Sequence, residues 1–118
     1  MFEIIATEQF EKDIKFYKKK KKFTSIDDDI DEIIEELEEG NLIGDELKGL
    51  ELPSNEHSFK VRVANSNTNV GKSNGYRLIY YVVKDDLTIF LLTVYYKKEQ
   101  EDITAREIIG LIEKYCMD

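Results

Sequence analysis

Within 118 residues the chain has one cysteine, one histidine, one proline and no tryptophan. With Cys116 alone, an internal disulfide and a cysteine metal cluster are excluded. His57 lies in a loop-like stretch with no cysteine nearby, which argues against a histidine metal site or a His-based triad. No metal and no cofactor are expected. Apolar runs fall well short of the roughly 20 residues that span a bilayer, so no membrane partner is expected. The opening Met1-Phe2-Glu3-Ile4-Ile5 lacks the basic region and small-residue cleavage site of a signal peptide. The expectation is a cytoplasmic protein with one domain over residues 1–118.

Positive charge is also short overall. The net charge is −8, which at first argues against a nucleic-acid partner. The charge is unevenly placed, however. Nine acidic and no basic residues lie between Asp27 and Glu39, whereas seven basic residues face only Asp85 and Asp86 between Lys60 and Lys98, a local net of +5. Local field matters more than total charge for an anion site.

Phe2–Ala6 is a short apolar run and reads as a strand. Thr7 suits an N-cap, and Phe10, Ile14 and Tyr17 recur at helical spacing ahead of Lys18–Lys22. Ser25 can cap a second helix whose apolar stripe is Ile26, Ile30, Ile33, Ile34 and Leu37. Gly40 stands where a left-handed residue ends it. The short join predicts a helical hairpin, with the carboxylates on its solvated face. Asn41–Ser58 reads as a loop pinned by Leu42, Ile43, Leu47, Leu50 and Leu52. Three strands follow, Phe59–Ala64, Tyr76–Val83 and Leu87–Tyr96, with Lys84-Asp85-Asp86 as a tight turn. Thr104 and Glu107 form a capping box for a C-terminal helix, and Ile103 can staple onto Ile108. The predicted class is α+β in the order β-α-α-β-β-β-α: an N-terminal strand and helical hairpin on an antiparallel sheet, then a C-terminal helix.

The chemistry concentrates in the basic half. In Phe59-Lys60-Val61-Arg62-Val63, alternation sends the apolar residues to one face and Lys60 and Arg62 to the other. An exposed strand face with solubilising charge is the plainer alternative. Arg77 enters the next strand directly after a glycine turn and is either an anion contact or a structural arginine on loop carbonyls. Lys72, in that turn, can reach a phosphate as a point charge. Tyr95, Tyr96, Lys97 and Lys98 end the last strand. Adjacent tyrosines point to opposite faces, so one is expected in the core and the other exposed, able to stack on a base or donate a proton. Val70-Gly71-Lys72-Ser73 fails as a nucleotide-binding P-loop. Ser66 occupies its upstream glycine position, and a strand follows instead of a helix.

Lys60-x-Arg62, then Gly71-Lys72-Ser73-Asn74-Gly75-Tyr76-Arg77-Leu78-Ile79-Tyr80-Tyr81, then Leu91-Leu92-Thr93-Val94-Tyr95-Tyr96-Lys97-Lys98, resembles the RelE/ParE toxin superfamily, closest to its HigB-like branch. The resemblance implies a toxin of a type II toxin–antitoxin pair that cuts ribosome-bound mRNA without a metal. Its implied partners are a cognate antitoxin of helix-turn-helix type and ribosome-bound mRNA. It implies Lys60, Arg62, Lys72 and Arg77 as the phosphate-contacting set, with Tyr95 or Tyr96 and Lys97 or Lys98 contributed by the last strand. Lys60 would assist deprotonation of the 2′-hydroxyl, Arg62 and Arg77 would stabilise the phosphorane, and a tyrosine or terminal lysine would protonate the leaving oxygen. Lysine and tyrosine titrate near about 10 when unperturbed, so the site or the ribosome must assist them. A gyrase-blocking toxin of the same fold and a non-catalytic protein-binding module are the alternatives. A net charge of −8 departs from the basic character typical of ribosome-dependent members.

Overall fold

A computed structural model describes residues 1–69, 71–100 and 102–117; Val70, Glu101 and Asp118 lie outside the described residues. The elements are β1 (Glu3–Ala6), α1 (Glu8–Lys19), α2 (Ile26–Glu38), β2 (Asp45–Glu46), β3 (Glu56–Val63), β4 (Tyr76–Val83), β5 (Thr88–Tyr96) and α3 (Ala105–Tyr115). The expected α+β order holds, with two refinements. The segment read as a loop contributes β2 as a short edge strand, and β3 starts three residues before Phe59. In addition, β1 joins the sheet beside β5 in parallel, so the five-stranded sheet, ordered β1-β5-β4-β3-β2, is mixed.

Local chemistry accounts for most of the ends. Thr7 accepts a hydrogen bond from the Phe10 N–H and caps α1. The capping box of Thr104 and Glu107 is present at α3. Gly40, at φ +93°, ends α2 in a Schellman arrangement: its N–H reaches the Leu37 carbonyl and the Asn41 N–H reaches that of Glu36. Ser25 departs from expectation, since its side chain makes no cap bond. Its backbone N–H instead donates to Asn67 Oδ1 at 2.9 Å, tying the start of α2 to the β3–β4 connection.

The central strand β4 is buried on both faces. This explains why Tyr76–Val83 carries a nearly unbroken apolar run. On one face Tyr76, Leu78, Tyr80 and Val82 pack with Val61, Val63, Ile89, Leu91, Val94 and Tyr96 beneath α1 and α2. On the other, Ile79, Tyr81, Leu92 and Tyr95 pack with Leu50 beneath Ile108 and Ile112 of α3. Each such buried aliphatic side chain contributes about 1.5–3 kcal/mol.

One strand edge is completed by side chains. Pairing of β1 with β5 stops at Ala6–Leu91. Beyond it, α1 takes over the hydrogen bonding. The Asp13 carboxylate accepts from the Val94 N–H at 3.1 Å and from the Thr93 hydroxyl, and the Tyr17 hydroxyl oxygen accepts from the Tyr96 N–H at 2.8 Å. Burial pushes the Asp13 carboxyl up from its ordinary value, against the lowering effect of these bonds.

Candidate functional site

Antiparallel register brings the predicted residues together. Arg62 pairs with Arg77, and Arg77 with Tyr95, forming a row across β3, β4 and β5 on the α3 side of the sheet. Lys60 lies two residues along β3 on the same face. Lys97 follows β5, and its N–H donates to the Gly75 carbonyl at 2.9 Å. Gly75 is required here by space. A Cβ on it would come within 2.1 Å of the Val63 carbonyl oxygen, so the glycine turn seats directly on the end of β3.

The centre of the group is a residue the sequence reasoning did not select. Asp102, just before α3, accepts from Lys97 Nζ at 3.2 Å and from the Tyr95 hydroxyl at 3.3 Å, and lies 3.8 Å from Lys60 Nζ. Its carboxyl is held below the ordinary aspartate value, chiefly by the Lys97 hydrogen bond. The signal available beforehand was only an acidic patch after Lys98.

Arg77 is 5% exposed, and its guanidinium is engaged by backbone. Nη1 donates to the carbonyls of Lys72 at 2.9 Å and Tyr76 at 3.2 Å, and Nη2 to that of Ser73 at 2.8 Å. Of the two roles open to it, the loop-carbonyl contact is the one observed; it clamps the turn that carries Lys72. Arg62 is exposed and makes no hydrogen bond or ion pair among the described residues. Lys72 is exposed and, with Arg62, borders a hollow of about 220 Å³ that is also lined by Asp28, Asp29 and Glu32 of α2. The acidic helix thus lies beside these two cations.

The expectation of one buried and one exposed tyrosine is not met, since Tyr95 and Tyr96 are 1% and 5% exposed. They do take opposite faces. Tyr95 sits with the cations, and burial pushes its hydroxyl up to about 12. Tyr96 packs against Phe23 and Tyr76 under the helical hairpin, away from Lys60, Arg62 and Arg77. Lys98 is exposed beside Lys97. Cys116 packs against the α3-side core, and burial raises its thiol to about 12. Among the described residues no cluster of His, Cys, Asp and Glu is arranged to hold a metal ion. Among the described residues no helix is long and apolar enough to cross a membrane.

The arrangement can therefore bind an anion: two lysines converge on one carboxylate, with an exposed arginine in the adjacent row. No curated protein matches the chain. A family profile described as the ParE toxin of the type II toxin–antitoxin system, parDE, matches residues 4–101, which include the candidate cations and tyrosines and end just before Asp102. Membership implies a cognate antitoxin as partner. The chain belongs to the RelE/ParE superfamily of type II toxin–antitoxin toxins.

Proposed function

We propose that this toxin is a metal-independent endoribonuclease that cuts mRNA on the ribosome, controlled by an antitoxin of helix-turn-helix type. The observation that carries the reading is the convergence of Lys60, Tyr95 and Lys97 on one point of the sheet, in a chain whose other surface is strongly acidic. A solubilising strand face would need no such focus.

In the proposed reaction, the 2′-hydroxyl oxygen of one nucleotide attacks the adjacent phosphorus. The P–O5′ bond breaks, leaving a 2′,3′-cyclic phosphate and a 5′-hydroxyl. Lys60 assists loss of the 2′ proton, and Arg62 stabilises charge on the phosphorane. Arg77 acts through the turn, holding Lys72 in place with its carbonyl contacts. Tyr95, a neutral phenol at physiological pH, or Lys97, supplies the proton to the leaving oxygen. Tyr96 and Lys98 have no comparable position; Lys98 is left to contact the backbone of the RNA.

The test is cleavage of ribosome-bound mRNA by the purified chain, mapped by the new 5′ ends. Lys60→Ala and Arg62→Ala are each expected to lower the rate by about 100-fold or more, typical of losing an acid–base or charge-stabilising group. Intact mRNA together with inhibited gyrase supercoiling would overturn the reading. That second outcome is the gyrase-directed toxin of the same fold. It draws support from the engagement of Arg77 by carbonyls and of Lys60 and Lys97 by Asp102.

A further inference from the structure

We infer that Asp102 is an internal competitor for the anion site: its carboxylate occupies the position between Lys60 and Lys97 that a backbone phosphate of the substrate takes, and the phosphate must displace it. The identity of the anion rests on the RNA reading above; the competition itself rests on geometry. Asp102 receives Lys97 at 3.2 Å and the Tyr95 hydroxyl at 3.3 Å, and faces Lys60 at 3.8 Å. A phosphate oxygen has the same charge and the same need for these donors. The two cannot share them, because like charges within a few ångströms repel.

The position of Asp102 makes the exchange feasible. It is half exposed, lies outside helix and strand, and precedes the Thr104 cap by two residues. An exposed ion pair of this kind is weak, so displacement is well within reach of a phosphodiester. Tyr95, 1% exposed in the core beneath α3, donates its hydroxyl to Asp102. Departure of the carboxylate frees the tyrosine hydroxyl at the moment the phosphate arrives. The site thereby carries one positive charge fewer until a polyanion enters.

The experiment compares binding of a 2′-O-methyl RNA oligonucleotide, which cannot be cut by 2′-hydroxyl attack, to the wild-type chain and to Asp102→Asn. Fluorescence anisotropy reads affinity across a salt series, and thermal unfolding verifies that the variant is folded. Asp102→Asn is expected to tighten binding roughly two- to tenfold, with a steeper salt dependence, because two lysines are released to the backbone. Adding Lys60→Gln and Lys97→Gln to Asp102→Asn removes the gain. Unchanged or weaker binding by folded Asp102→Asn overturns the inference and makes Asp102 a positioning residue. If Asp102→Asn tightens binding but the wild-type chain leaves ribosome-bound mRNA intact, the competition stands and the nuclease reading fails.

Discussion

Arg77 and Arg62 are the same residue type, directly paired in register, yet they do different work. Arg77 is buried and donates to three carbonyls, whereas Arg62 is exposed. Hydrogen bonds from a charged donor contribute about 1.5–3 kcal/mol, and losing this one leaves carbonyls unpaired. Arg77→Ala should therefore destabilise the fold by about 2–4 kcal/mol in denaturant unfolding. Arg62→Ala should stay within about 0.5 kcal/mol of wild type, as exposed substitutions do, while losing toxicity in growing cells. Equal losses of stability in the two variants would contradict the assignment. Toxicity lost in Arg77→Ala must be corrected for the folded fraction before it is read as catalysis.

At the level of elements, the α1–β5 junction is the place where one element completes another. Asp13 substitutes for a missing strand partner, accepting from Thr93 and Val94 beside Gln9 and Tyr17. Its carboxyl is raised by burial, so the folded chain holds this proton more tightly than the unfolded chain does. Stability from this group is therefore fully present below the ordinary aspartate value of 3.8 and declines as pH rises through the raised value. Asp13→Asn keeps one acceptor oxygen for Thr93 and Val94 without the buried charge. It should match or exceed wild-type Tm at neutral pH and lose that part of the pH dependence. Asp13→Ala leaves the Val94 N–H unpaired and should cost about 1–3 kcal/mol. A Tm profile from pH 4 to pH 8 for the three chains, at roughly one-unit steps, tests both sign and size.

On the scale of the whole molecule, the charge is polarised. The acidic run of α2 lies beside Arg62 and Lys72, and Lys18 and Lys21 are paired with Asp27 and Glu99 at 2.6 and 2.5 Å. The net charge of −8 opposes any polyanion, so attraction must come from a few contacts on one face. With about three phosphate contacts, single-stranded RNA affinity should fall with a log–log salt slope near −2, or roughly 20-fold between 50 and 200 mM salt. Lys60→Gln should flatten that slope by about 0.7. A slope near zero would remove phosphate recognition from this surface.

How much was legible beforehand depends on the range of the interaction. Local rules sufficed for the Thr7 cap, the capping box at Thr104, the Gly40 terminus and the face shared by Lys60 and Arg62, because each involves residues a few positions apart. They failed at Ser25, whose partner is Asn67. The tyrosine ambiguity has a specific cause in β5. Ile79 pairs with Thr93 but Tyr80 with Leu91, so Leu92 is an extra residue in the strand. That bulge reverses the alternation: Ile89 and Leu91 face the hairpin, but beyond it Val94 and Tyr96 do, and Tyr95 turns to the α3 side. The sequence by itself determined the three helices, the four longer strands and the cation-bearing face, but not the edge strand β2, since period and capping are properties of neighbouring residues. Only the tertiary structure decided that Tyr95 joins the cations, that Arg77 holds a turn, and that Asp102 sits among the lysines. Those outcomes depend on strand register and on a carboxylate delivered from the loop before α3, which no local pattern encodes.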